Sequence, residues 1–282
     1  MDIDQARTFL AIAANGSFLE AAHHLHLTQS TVSARIQRLE EELDTRLFVR
    51  NRSGASLTQA GKRFMEYAKR LVLTAEQARH EIGLPDRYRA TIRIGGRIAL
   101  WEGFLPQWVG NMRHAAPDIA IRSEIGFEED LMRHLIDGTL DIGLMYSPTH
   151  SAGLVVEHLF DETLVLVSTR QDDDAPGDDY VYIDWGPGFY NQHAQSYPDL
   201  ERPQQMANIG WLGIQLLLTN GGSCFLPARM ALPFIDNGQL YRVAKSPEYT
   251  HPAYMVYPRK SDNPVIDEAL NLLRNLAATP HL

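Results

Sequence analysis

Residues 28–38, which read TQSTVSARIQR, carry polar side chains of the types that read DNA bases. The candidate DNA-binding residues here are Thr28, Gln29, Ser30, Thr31, Ser33, Arg35 and Arg38. The Gln29 amide can pair with adenine through N6 and N7, and serine or threonine hydroxyls can bond several bases. Arg35 and Arg38 come later, where a guanidinium meets phosphate. We therefore predict that this segment contacts double-stranded DNA.

A helix must present these side chains, and the apolar spacing predicts one. The positions that recur at the helical period are Val32, Ile36, Leu39 and Leu43. We expect Thr28 to cap this helix, since a threonine hydroxyl satisfies a free amide of the first turn. Upstream, residues 15–16 (Asn-Gly) end a first helix over 4–14, and Ser17 with Glu20 has the pattern of a capping box. This order predicts a helix-turn-helix, whose second helix faces base edges.

A short basic hairpin is predicted after the second helix. Residues 47–50 (LFVR) and 55–58 (ASLT) flank a turn that contains Gly54. Arg50 and Arg52 place positive charge at its tip, where a wing reaches the DNA backbone or minor groove. We add both arginines to the candidate DNA-binding residues.

The charge of the chain is divided between its two ends. The net charge is −9, yet residues 1–90 carry thirteen basic and eleven acidic side chains. Residues 28–70 carry nine basic and five acidic ones. A locally basic segment on an acidic chain can still attract a polyanion, so the overall charge does not exclude DNA binding.

A long helix over 59–82 follows the hairpin and carries a heptad pattern. Its apolar seam consists of Phe64, Ala68, Leu71, Ala75, Ala78 and Ile82. Such a seam suits pairing with a second copy, which would set two DNA-reading helices about one turn of DNA apart and favour an interrupted palindrome. The alternative is that the seam packs on its own domain. Gly83 and Pro85 break the helix before a new domain.

Beyond residue 90 the pattern changes to alternating strands and helices, which indicates a largely parallel sheet in two lobes. Strands are expected at 91–94, 119–125 and 141–146, and a second set begins with a strand at 163–168. The chain would cross between lobes near 154–160 and 254–259. Loops at the carboxyl ends of parallel strands make ligand sites. The candidate effector-binding residues are Gly96, Arg97, Ile98, Met145, Tyr146, Ser168, Thr169, Gly222, Ser223 and Cys224.

Two features of this half have alternative interpretations. Arg97 could bind an anionic ligand or form a surface salt bridge. The aromatic segment 180–198 could line a cleft or pack within the second lobe.

We expect no metal site, no cofactor and no catalytic activity. His23, His24 and His26 have no cysteine or carboxylate at ligand spacing. The single cysteine, Cys224, excludes an internal disulfide and fits a reducing compartment, although a redox-sensing role stays open. The N-terminus lacks the pattern of a signal peptide, and no apolar run approaches the ~20 residues of a membrane span. A cytoplasmic protein is expected.

The segments AAHHLHLTQSTVSARIQRLEEEL and LFVRNRSGASLTQAG resemble the N-terminal domain of LysR-type transcriptional regulators. The chain departs from the family pattern in two places. Asp44 follows the helix-ending Leu43 where family members usually carry glycine, and Ala34 follows Ser33 where they often carry arginine. The second departure removes the base or phosphate contact that the family arginine would make. We do not transfer that contact to Arg35, because Arg35 points about 100° further round the helix.

The resemblance implies a multidomain α plus α/β fold. A winged helix-turn-helix would occupy 1–58, a linker and dimerisation helix with hinge 59–86, and an effector-binding domain 87–282. That last domain would resemble type 2 periplasmic binding proteins, with lobe I at 87–159 and 256–282 and lobe II at 160–255. The implied partners are double-stranded DNA, a small-molecule effector in the cleft between the lobes, and further copies as a homodimer or homotetramer. RNA polymerase could be a further partner.

Two other functions compete with an effector-controlled regulator. One is a regulator whose cleft is filled by its own side chains. The other is a solute-binding protein with a helical N-terminal extension, which the missing signal peptide disfavours.

Overall fold

The computed structural model describes residues 1–51, 54–83, 85, 87–172, 176–198, 200 and 204–279. The chain divides into two compact units, Met1–Pro85 and Asp86–Leu282. Among the described residues, no helix combines the length and the hydropathy that crossing a bilayer requires.

The first unit is a three-helix bundle with a hairpin and a long final helix. Its elements are α1 (Ile3–Asn15), α2 (Phe18–His24), α3 (Gln29–Glu42), β1 (Phe48–Asn51), β2 (Gly54–Leu57) and α4 (Gln59–Ile82). An aromatic cluster joins them, because the Phe9 ring contacts Phe48 of the hairpin and Phe64 of α4 with centroids 5.1 and 4.9 Å apart. The apolar stripe of α3 predicted from the sequence is buried at Val32, Ile36 and Leu39.

Local capping explains where the first two helices begin and end. Asp2 and Gln5 form a reciprocal capping box at the start of α1, which the sequence analysis did not predict. Gly16 ends α1 with φ +63°, the left-handed conformation expected from Asn-Gly. The Ser17 hydroxyl accepts from the Leu19 and Glu20 amides at 3.2 and 3.4 Å, which caps α2 and confirms the Ser17 half of the predicted capping box.

The second unit begins with a parallel α/β arrangement, which we call lobe I. Its elements are β3 (Ala90–Gly96), α5 (Ile98–Trp101), α6 (Phe104–Ala115), β4 (Ile119–Ile125), α7 (Glu128–Ile136) and β5 (Ile142–Met145). Strand β3 pairs in parallel with both β4 and β5. The closing helix α11 (Ile266–Ala277) belongs to this lobe, since the Trp108 indole of α6 donates to the Ala269 carbonyl at 3.1 Å.

Lobe II is formed by shorter strands and three helices. Its elements are β7 (Val181–Ile183), α8 (Pro187–Ser196), β8 (Gln205–Ala207), α9 (Gly210–Asn220), β9 (Ser223–Pro227), α10 (Ala228–Asp236) and β10 (Tyr241–Arg242). Helices α8 and α10 are not predicted by the sequence pattern. The segment 180–198 resolves mainly as lobe core, because Tyr180, Phe189 and His193 are buried there.

Two long antiparallel strands, β6 (Leu154–Ser168) and β11 (Tyr249–Pro258), run through both lobes. The strand order is β10-β6-β11-β5-β3-β4, with β9 also paired to β6. The sequence pattern predicts a crossing near 154–160 and then a separate strand at 163–168. The structure has one continuous strand there, and a register shift between Ala253 and Tyr254 marks the transition in β11.

Candidate DNA-binding and ligand-binding sites

The N-terminal turn of α3 displays the predicted base-reading side chains. The Thr28 hydroxyl accepts from the Thr31 amide at 3.2 Å and bonds the Ser30 and Thr31 hydroxyls at 2.9 and 2.8 Å. Thr28, Gln29 and Ser30 are exposed, whereas Thr31 and Ser33 are half-buried. The turn is therefore rigidly capped while its outer face presents an amide and hydroxyls, the groups that suit base edges.

The two arginines of α3 differ in their surroundings. Arg38 is exposed on the helix surface. Arg35 instead donates to the Asp4 carboxylate at 2.8 Å and to the Thr8 hydroxyl at 3.3 Å, both on α1. The Arg35 guanidinium therefore holds α3 against α1, and its contact with phosphate stays a prediction.

The hairpin is anchored to the helices at two points. The Glu40 carboxylate of α3 accepts from the Leu47 and Phe48 amides at 2.6 and 3.1 Å. The Ala55 amide donates to the Gly16 carbonyl at 2.7 Å, and any side chain at Gly54 would collide with that carbonyl oxygen. These contacts fix the wing relative to α3. The Arg50 side chain and Arg52, both predicted to bind DNA, lie outside the described residues.

An apolar groove of about 820 Å³ runs along α4. We call it the α4 groove; it is lined by Met1, Ile3, Leu43, Thr45, Leu47, Ala60, Arg63, Phe64, Tyr67, Arg70, Leu71, Thr74, Ala75 and Ala78. Tyr67 is 63% exposed and Ile82, just beyond the groove, is 86% exposed. Phe64 and Ala68 are buried in the core of their own unit, so for these two seam residues the alternative of internal packing holds.

In the second unit, three aromatic rings meet where the lobes join. The Tyr146 ring, which follows β5, stacks on His251 of β11 with centroids 4.1 Å apart. The Trp185 ring, which follows β7, meets His251 edge-on at 5.8 Å. Burial, and secondarily the charge of Arg97, lowers the pKa of His251 to about 4, so its imidazole is neutral at pH 7.

A buried ion pair lies beside these rings. Arg229 of α10 donates to Glu162 Oε1 at 2.7 Å, and the Tyr146 hydroxyl donates to the same oxygen at 2.8 Å. The guanidinium also donates to the carbonyl oxygens of Ala99, at 3.0 Å, and Glu102 in lobe I. Arg229 therefore connects lobe II to lobe I. Burial and the Glu162 charge raise the pKa of Tyr146 well above its usual value.

Of the predicted effector residues, Tyr146 lies at this junction and Arg97 is near enough for its charge to act on Tyr146 and His251, while Gly96 and Ile98 flank Arg97 in the sequence. Of the two alternatives for Arg97, the structure has a salt bridge, although not an exposed one: Arg97 pairs with Glu128 at 3.2 Å and lies 4.6 Å from the Phe127 ring centroid. Met145 does not face this junction. Neighbouring side chains of a strand point to opposite faces, so Met145 is buried on the other face with Leu131 and Val256.

The candidates in lobe II lie away from this junction. Strand β6 enters lobe II antiparallel to β9, so Ser168 pairs with Ser223 at the end away from Glu162. The six residue steps along the strand from Glu162 to Ser168 span roughly 20 Å. Thr169 and Gly222 bond each other at this far end, and Cys224 is fully buried, which raises its thiol pKa. The junction residues missed from the sequence were Glu162, Trp185, Arg229 and His251.

A capped helix that presents polar side chains beside a wing, followed by a two-lobed α/β unit with a built junction, defines a DNA-binding regulator with a ligand domain. The family model described as "Bacterial regulatory helix-turn-helix protein, lysR family" matches residues 3–62. The model described as "LysR substrate binding domain" matches residues 85–278. The chain therefore belongs to the LysR family: it is a DNA-binding transcriptional regulator with an effector-binding domain.

Similar proteins agree with this assignment. The HTH-type transcriptional regulators HdfR of Yersinia enterocolitica and Yersinia pestis are each 29% identical to the chain, over 99% of it and 96% of the relative. The crystal structure of full-length CbnR with its target DNA superposes with a TM-score of 0.73 at 18% identity, covering 98% of this chain and 100% of that one. ArgP from Mycobacterium tuberculosis gives 0.60 at 21% identity, covering 100% and 99%. Both structures share the fold.

Proposed function

We propose that the chain binds an interrupted palindrome as a dimer or a higher homo-oligomer, with the N-terminal turn of α3 reading bases. The observation that carries this is the exposed amide of Gln29 on a turn that Thr28 caps, beside an anchored wing. A helix-turn-helix contacts base edges with these first residues. Arg38, Arg50 and Arg52 supply the phosphate contacts that fix register.

The α4 groove supports pairing of two copies. Its lining is mostly apolar, and apolar residues at heptad spacing on an accessible helix face suit pairing with a second helix. The predicted seam continues along the groove through Leu71, Ala75 and Ala78. Two-fold pairing there would bring two copies of α3 onto one face of the DNA.

We further propose that a small molecule in the junction between the lobes controls DNA binding, with Arg97, Tyr146, Trp185 and His251 closest to it. A ligand that contacts both lobes differs in affinity between their arrangements and so shifts the balance between them. We infer that the chain acts in the cytoplasm, where its DNA lies, and works by binding alone, without catalysis.

A gel-shift titration with DNA from upstream of the chain's own gene tests the DNA-reading surface. Gln29→Ala should reduce discrimination at one base pair by about 1–3 kcal/mol. Arg38→Ala should weaken binding to all sequences and lower the salt slope by about 1. Gln37→Ala is the matched control, since that exposed side chain on the same helix bonds Glu41 at 2.9 Å. Binding without sequence preference at about 150 mM salt, or equal effects of Gln29→Ala and Gln37→Ala, would refute the proposal.

A second candidate is a regulator that needs no ligand. It is favoured by one observation: the Tyr146, Trp185 and His251 rings and the Glu162–Arg229 pair occupy the junction themselves. Such a protein would bind DNA unchanged in the presence of any small molecule that its lobes could enclose.

A further inference from the structure

Glu162 lies where the carboxylate of an anionic ligand would bind. Its side chain is 3% exposed, and one carboxylate oxygen accepts from both Arg229 and the Tyr146 hydroxyl. An arginine and a tyrosine hydroxyl that converge on one point are the groups that recognise a carboxylate. Here the chain supplies that carboxylate from the strand shared by both lobes.

The second arginine of the junction is also neutralised from within. Arg97, whose side chain is 12% exposed, pairs with Glu128. An anionic ligand would therefore have to displace a carboxylate of the chain or remain buried without a counter-ion, and burying an unpaired charge is costly. The charges of this site disfavour a carboxylate ligand.

Among the described residues, four buried side-chain atoms have no hydrogen-bond partner, and one of them, on His251, belongs to a residue of the junction. This atom is Nε2, and the whole residue is 5% exposed. His251 is the cross-strand neighbour of Glu162 and stacks on Tyr146. A buried polar atom without a partner costs stability, which a ligand group bonded to it would recover.

We propose that Glu162 is a specificity-determining residue that excludes carboxylates, so that the junction takes an uncharged planar ligand with a group that hydrogen-bonds His251. This inference rests on the proposed function, in which the junction binds the effector. The aromatic walls of Tyr146 and Trp185 suit a planar ligand, because offset or edge-on ring contacts are favourable. Glu162 excludes carboxylate ligands through its negative charge, whereas His251 contacts the ligand directly through a hydrogen bond.

Benzamide and benzoate test the proposal, because they share size and shape and differ in charge. Binding of each to the full-length protein would be measured by isothermal titration calorimetry at pH 7.5. We expect benzamide to bind at least about tenfold more tightly than benzoate, a difference of about 1.4 kcal/mol. Glu162→Gln, which removes the charge and keeps the shape, should reduce or invert this ratio by a similar factor.

Glu157→Gln is the matched control. Glu157 lies on the same strand and has equivalent partners, accepting from Arg274 at 2.8 and 2.9 Å and from the Tyr257 hydroxyl at 2.8 Å. It should leave the ratio unchanged. His251→Phe, which keeps an aromatic ring at this position but removes Nε2, should weaken benzamide binding about tenfold.

Three results would overturn the inference: no binding of benzamide to the natural protein, benzoate bound as tightly as benzamide, or the same ratio in Glu162→Gln. A gel shift on each variant separates this from failure of the proposed DNA-binding surface, because the substitutions lie in the second unit. If the natural protein bound DNA without sequence preference, the proposed DNA-binding surface would be refuted instead. Circular dichroism of each variant establishes that it folds.

Discussion

Asp44 should destabilise the end of the recognition helix, and replacing it with glycine should stabilise the first unit. Helix α3 is capped by Leu43, and Asp44 follows with φ +47°, in the left-handed region. Its amide donates to the Glu41 carbonyl at 3.2 Å, and the Thr45 amide donates to the Glu40 carbonyl at 3.0 Å. The turn therefore requires a positive φ, the conformation that favours the glycine usual in the family.

The magnitude follows from three effects. The left-handed conformation costs an L-residue about 1–2 kcal/mol, less for aspartate than for most. A negative charge at the C-terminal end of a helix costs about 0.3–1 kcal/mol. The greater freedom of glycine in the unfolded chain offsets about 0.5–1 kcal/mol of the gain. The net expectation for Asp44→Gly is about 1 kcal/mol of stabilisation, or a rise of about 4–8 °C in the Tm of a unit of this size.

The four tryptophans, Trp101, Trp108, Trp185 and Trp211, all lie in the second unit. Tryptophan fluorescence therefore follows that unit, while circular dichroism at 222 nm also follows the helical first unit. Asp44→Gly should move the first unit's transition and leave the fluorescence transition in place. Asp44→Asn should recover only the charge contribution, and Asp44→Ala should be less stable than Asp44→Gly by about 1 kcal/mol. Equal stability of the alanine and glycine variants would refute the reasoning.

Three further predictions concern pairing, pH and the recognition helix. Ala75→Glu should convert the oligomer to monomer in sedimentation velocity, whereas Leu73→Glu, outside the α4 groove, should not; unchanged assembly of Ala75→Glu would disprove pairing there. The folded-state pKa of His251, about 4, lies below the usual 6.5, so its contribution to stability is complete above pH 6.5 and is lost as the pH falls toward 4. Because of this residue, urea unfolding should give a free energy of unfolding about 2 kcal/mol lower at pH 5 than at pH 7. The His251→Phe variant should lack this part of the pH dependence, and a pH profile identical to that of the natural protein would contradict the prediction. Arg35→Ala should lower the thermal stability of the first unit and leave the salt slope of DNA binding unchanged, and a slope reduced as much as in Arg38→Ala would show that Arg35 also contacts phosphate.

The first unit could be predicted closely from sequence because its signals are local. The apolar period of α3, its Thr28 cap and the Gly16 helix end each depend on residues within about one turn. Tertiary contacts within the unit could not be predicted in this way. Arg35 bonds residues of α1, and Phe64 packs on Phe9, and neither pairing leaves a pattern in the local sequence.

The α/β class of the second unit could be predicted, whereas the residues that meet where its lobes join could not. Alternating strands and helices identified the α/β class, since each element has its own period. The site depended on strand direction: Ser168 was placed at the junction because carboxyl ends of parallel strands form sites. Strand β6 is shared by both lobes and runs antiparallel to β9, so this rule selects the wrong end of it. Only the pairing register reveals that Glu162, in mid-strand, faces the junction.

The arginines show most clearly why charge alone does not locate a binding site. Arg35 pairs with Asp4, which is 31 residues away in the sequence, and Arg229 pairs with Glu162, which is 67 residues away. Each is neutralised by a carboxylate that no local pattern connects to it. Arg38, by contrast, remains exposed. The free positive charge of the described recognition helix is thus available to the DNA backbone, whereas the junction of the second unit has its charges balanced internally. Salt should therefore act on DNA binding far more strongly than on binding of a ligand between the lobes, because only the first exchanges counterions for protein charges.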